Sequence, residues 1–69
     1  MATNRSNLEY DYRDLLIDTI EAYTGSLLSV NYSEISTDDL FKLFHCIVHS
    51  VDERYSRALN LKKDLEKIL

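Results

Sequence analysis

The sequence predicts an all-α fold: an antiparallel hairpin of a short first helix and a long second helix, paired with a second copy as a dimeric helical bundle. Three observations predict it. Pro is absent and Gly occurs once in 69 residues, a composition with few helix breakers. Apolar residues recur at steps of three and four along two stretches, the spacing of amphipathic helices. The second stretch outruns the first, so its distal seam lacks a partner within the chain and a second copy supplies one.

Residues 1–5 are short, polar and without periodicity, and read as a frayed tail ahead of a single helical domain over 6–69. The first helix, about 6–24, starts at the capping box Ser6-Asn7-Leu8-Glu9. Leu8, Tyr12, Leu15, Leu16, Thr19, Ile20 and Tyr23 form its inner stripe, with Thr19 the one polar member. Gly25 is the natural stop, because glycine accepts the left-handed conformation past a helix end. The alternative is a helix that runs on through Leu27 and Leu28, carrying Gly25 at a cost of about 1 kcal/mol. Residues 25–35 form an ordered connector whose Leu27, Val30, Tyr32 and Ile35 fold back on the helices.

The second helix, about 37–69, is set by Ser36-Thr37-Asp38-Asp39. The Ser36 hydroxyl caps the Asp39 amide and the Asp39 carboxylate reaches back, while Ile35 and Leu40 close a hydrophobic staple. At 1.5 Å per residue this helix would be roughly 50 Å long, with the first about half that. Leu40, Phe44, Ile47, Val51, Arg54, Ala58, Leu61, Leu65 and Ile68 make its seam. Arg54 on the seam, with Tyr55 and Asn60 nearby, marks a soft place where a break near 54–60 would give three helices. Glu53 and Arg57, four apart, argue for continuity.

With 45% hydrophobic and 29% charged residues the chain should fold, yet a core of this size stabilises by only about 3–5 kcal/mol. A lone Cys excludes an internal disulfide and, with no signal-peptide layout, suits a reducing cytoplasmic setting. The longest apolar runs, Leu15-Leu16-Ile17 and Cys46-Ile47-Val48, are far too short to span a bilayer. A net charge of −4 disfavours broad contact with a nucleic-acid backbone. The expected partners are a second copy of the chain and another protein, with a basic one among the candidates. No cofactor and no enzymatic activity are expected.

His45 and His49 stand four apart and would share a helix face, the spacing of a chelating pair, but a lone HxxxH lacks a full ligand set. Outward-facing polar residues explain both better, and nothing flanking either histidine supports phosphotransfer. Cys46 reads as an ordinary, partly buried thiol. Asp11, Asp14, Asp18 and Glu21 place four carboxylates along one edge of the first helix, with Arg13 on another side. That edge is either a solvated face or a dock for a basic partner. Tyr10 and Ile17 lie on a neighbouring line with Thr24, a candidate contact surface. The candidate oligomer interface is the distal seam, Val51, Arg54, Ala58, Leu61, Leu65 and Ile68, with Arg54 setting register. Function is expected to be that of a non-enzymatic interaction module: a regulator, adaptor or inhibitor. The alternatives are a nucleic-acid-associated regulator using Arg54, Arg57, Lys62, Lys63 and Lys67, and a metal-binding helical protein.

Overall fold

A computed structural model describes residues 5–25 and 30–68. Among them the regular elements are all helical: α1 (Arg5–Thr24), one 3-10 turn (Tyr32–Glu34), α2 (Thr37–Ile47) and α3 (Glu53–Ile68). The all-α class stands, but the arrangement of long and short helices does not. At 20 residues α1 is the longest helix, and the single long second helix is divided into pieces of 11 and 16.

Two of the sequence's stop and start signals act as expected. Gly25 takes φ 63° and its N–H donates to the Glu21 carbonyl at 2.8 Å, ending α1 at Thr24; Leu28 of the alternative lies outside the described residues. Ser36 sits in extended backbone, its hydroxyl accepts from the Asp39 amide at 3.2 Å and Leu40 is fully buried, but the expected return bond from the Asp39 carboxylate to the Ser36 amide is not formed among the described residues. Thr19, the polar member of the α1 stripe, is buried and donates to the Leu15 carbonyl at 2.7 Å, so its hydroxyl needs no outside partner. The start of α1 differs. It begins at Arg5, placing the expected cap Ser6 inside the helix, and the Glu9 carboxylate takes the Thr37 hydroxyl at 2.7 Å.

The break in the predicted long helix falls at 48–52, upstream of the soft place at Arg54. Val48 leaves the helix in extended backbone and turns its side chain into the core. The Asp52 amide then donates to the His49 carbonyl at 3.0 Å, closing a turn. Asp52 starts α3 as its cap, accepting the Arg54 amide on Oδ1 at 2.9 Å. Val51, expected on the seam, is 91% exposed at the tip of this turn.

Folding the chain back there changes its topology. The Glu9–Thr37 bond joins the first part of α1 to the start of α2, whereas the Tyr23 ring lies 5.8 Å from that of His49, just past the end of α2. Hence α2 runs parallel to α1, so its start lies beside the first part of α1 and the connector must span the distance between the two ends. Its reach is ample: twelve residues extend to about 40 Å, against roughly 21 Å between Glu9 and Tyr23 on the helix. The antiparallel hairpin is formed by α2 and α3. Phe44 stacks on Tyr55 with ring centres 5.5 Å apart, and Lys62 Nζ lies 4.8 Å from the Phe41 ring centre.

The core lies where α1 meets both other helices. Tyr12, Leu16 and Ile20 from α1 pack with Leu40, Phe44 and Val48, and with Ala58 and Leu65 from α3. Each fully buried Leu, Ile or Phe stabilises by about 1.5–3 kcal/mol. Connector residues Tyr32 and Ile35 are half-buried against this cluster as expected, Val30 is exposed, and Leu27 lies outside the described residues. Among the described residues no helix is long and apolar enough to cross a membrane.

Candidate functional site

Thr37, the first residue of α2, is the junction from which the most elaborate surface feature is built. Its hydroxyl donates to Glu9 Oε2 at 2.7 Å and accepts from Arg13 Nη1 at 3.0 Å. Arg13 Nη2 in turn donates to the Tyr32 carbonyl at 2.7 Å. One guanidinium thus ties α1 to the connector and to the start of α2. Arg13 and Glu9 are one helical turn apart on α1, so a single face supplies both.

On one side of this bridge is a cleft of about 350 Å³, lined by Glu9, Tyr12, Ser36, Thr37, Asp38, Lys62, Leu65 and Glu66. Tyr12 and Leu65 form its apolar base, both buried. Three carboxylates stand around it, and the Lys62 ammonium lies 4.0 Å from Glu66 Oε2. The Tyr12 hydroxyl is fully enclosed and has no hydrogen-bond partner among the described residues. Leaving such a group unpaired costs about 1–3 kcal/mol. Burial, and then the charges of Asp38 and Glu66, push its pKa well above the usual phenol range. The phenol is therefore neutral, a donor and acceptor facing negative charge.

On the other side is a shallower depression of about 220 Å³, lined by Tyr10, Arg13, Asp14, Ile17 and Ser33. Here the expected contact residues converge in part. Tyr10 is 71% exposed, Ile17 half-buried, and Asp14 exposed beside them. Asp11 and Asp18 are exposed outside the depression, while Glu21 is half-buried and helps push the Tyr32 pKa up, after burial.

A third cluster occupies the turn before α3. Arg54 donates to both carboxylate oxygens of Asp52, Nε to Oδ1 at 3.1 Å and Nη2 to Oδ2 at 2.8 Å. The Tyr23 hydroxyl donates to Oδ2 at 2.7 Å, and the Arg54 guanidinium carbon lies 5.8 Å from the Tyr23 ring centre. Arg54, chiefly, together with Tyr23 holds the Asp52 carboxyl well below the usual range. The same bond raises the Tyr23 pKa, and Asp52 raises that of Arg54. Arg54, expected to set register on the distal seam, finds its acid two residues away in its own chain.

The remaining seam residues divide. Ala58 and Leu65 are enclosed by the chain's own core, Leu61 is half-buried against it, and Ile68 is 44% exposed. Of the basic residues on α3, Arg54 is engaged by Asp52 and Lys62 by Glu66, leaving Arg57, Lys63 and Lys67 on the surface. Cys46 is an exposed free thiol, not a partly buried one. His45 packs beside Phe41 and Tyr55, with ring centres 6.1 and 5.8 Å away. His49 lies beyond the end of α2, so the two histidines do not form a helical i, i+4 pair. Among the described residues no group of three or more His, Cys, Asp or Glu side chains is placed to hold a metal ion.

The cleft was not legible in the sequence, because its residues come from three helices. Glu9 resembled half of a capping box, and Tyr12 an ordinary core position. One signal was available: a tyrosine on an inner stripe must place its hydroxyl somewhere, and Glu9 is a turn away. Comparison with protein-family models, curated proteins and solved structures finds no match.

Proposed function

We propose that this chain is a non-enzymatic interaction module, a regulator, adaptor or inhibitor that binds a basic protein partner through the outer face of α1. The observation that carries this reading is Tyr10, a large ring 71% exposed at the edge of the depression with Ile17 and Asp14. An exposed aromatic offers contact area with a polar handle, and the carboxylates of Asp11, Asp14 and Asp18 favour a partner of opposite charge. A cytoplasmic setting accords with the lone thiol.

The test is affinity purification of the tagged chain from its own cells. Wild type is compared with a Tyr10→Ala/Asp14→Lys double variant and with Arg57→Ser as a remote surface control. A protein held by wild type and control, lost from the double variant and released by raised salt, supports the proposal. Identical retention by all three overturns it.

Self-association as a homodimer belongs to the same proposal, with exposed Val51 and Ile68 as its supports. The enclosure of Ala58 and Leu65 leaves this part the weaker apolar seam. Sedimentation equilibrium decides it: a monomer mass at high micromolar concentration removes the dimer.

A further inference from the structure

We infer that the cleft between the start of α2, the first half of α1 and the end of α3 binds an organic cation, a guanidinium or alkylammonium group. Two independent observations meet there. The first is charge: Glu9, Asp38 and Glu66 against Lys62, three negative and one positive, leave the lining at a formal −2. The second is Tyr12, a cleft-lining side chain only 2% exposed, whose enclosed hydroxyl has no hydrogen-bond partner among the described residues. Buried polar atoms are nearly always paired in folded proteins, so an orphan at the base of a cleft points to a group that arrives from outside.

The chemistry of the lining selects a cation over an anion. A helix N-terminus such as that of α2 attracts anions by its free amides. Here the Ser36 hydroxyl already accepts from the Asp39 amide, and Asp38 and Asp39 bring negative charge into the first turn. A ligand that displaces the side chains now enclosing the Tyr12 oxygen can donate an N–H to it while its remaining donors reach the carboxylates. The carboxylates are also too dispersed for a small metal ion, which requires oxygen donors gathered within about 2.0–2.6 Å of one point. Dispersed acceptors around an apolar base suit a flat guanidinium or an alkylammonium with its methylenes on Leu65 and the Tyr12 ring. The neighbourhood already holds such a group, since the Lys62 ammonium lies 4.8 Å from the Phe41 ring centre.

This cation has two possible sources, a free small molecule or a basic side chain on a partner, and the cleft is separate from the α1 face proposed above for docking. The experiment is a titration of the full chain followed by backbone amide NMR shifts. The probes are N-acetyl-arginine amide, spermidine, a short end-blocked peptide whose one charged residue is an arginine, and N-acetyl-citrulline amide as the neutral isostere. Saturable shifts at Thr37, Asp38 and Glu66 are expected with a cationic probe and not with citrulline. Saturation by the small molecules assigns a free ligand; saturation by the peptide alone assigns a partner's side chain.

Tyr12→Phe, which removes one oxygen and keeps the ring, should weaken binding about tenfold, the scale of one lost hydrogen bond to a charged group. Its thermal midpoint should equal or exceed that of wild type, which separates lost binding from lost folding. Glu66→Gln, on the surface, should weaken binding without altering the midpoint. No saturable shift with any cationic probe overturns the inference, as does unchanged affinity in both variants.

Discussion

Ala58→Leu tests the fold at the point where two assemblies demand opposite outcomes. Ala58 is fully enclosed in the core shared by α1, α2 and α3. Leucine adds three carbon atoms to a fully enclosed site, and overpacking of a core costs about 1–3 kcal/mol. A domain this small holds only about 3–5 kcal/mol in total, so the variant should lose a large share of its stability. At about 4–8 °C per kcal/mol the thermal midpoint should fall by roughly 5–20 °C. In a continuous helix paired with a second copy, the same leucine would complete an apolar seam and strengthen the dimer. Circular-dichroism melting beside sedimentation equilibrium at one concentration reads both quantities. A raised midpoint together with a dimer mass would refute the packing of α3 on α1.

Ser36→Ala removes the acceptor of the Asp39 amide and should cost about 1 kcal/mol in urea unfolding; no change would mean that water replaces the cap without loss. Gly25→Ala meets no atom within 4 Å among the described residues and is strained at φ 63°, at a cost of about 1 kcal/mol, and a neutral variant would show that the turn relaxes. Asp52 has a folded-state pKa below its unfolded value, so the stability it contributes is present above about pH 4, the unfolded value, and is lost as pH falls toward the folded one. The stability gap between wild type and Asp52→Asn should therefore narrow on acidification from neutral pH to below that value. A gap constant over that range would show that the Asp52–Arg54 pair carries no pH-linked stability.

Much of the local structure was legible in the sequence, because it depends on contacts within a few residues. Gly25 stops α1 through its freedom to adopt positive φ, and Ser36 starts α2 through a hydroxyl three residues from the amide it accepts. Tyr12, Leu16 and Ile20 declared the buried face of α1 by spacing alone, with Thr19 correctly among them. Tyr10, Asp14 and Ile17 were also legible as surface neighbours, since helical periodicity decides which residues lie side by side.

What only the tertiary structure decided is where the second apolar stretch breaks and what its halves then meet. Near Asp52, capping a new helix and continuing the old one differ locally by about 1 kcal/mol, too little to read from either pattern. Burying Val48, Ala58 and Leu65 against α1 outweighs that difference several times over. The chain therefore folds back at residues 48–52, and α2 runs parallel to α1. Arg54 leaves the seam for Asp52, and Glu9, Tyr12, Asp38 and Glu66 come together around one cleft. Periodicity reports which side of a helix is apolar; which other helix covers it is settled by burial summed over the whole chain.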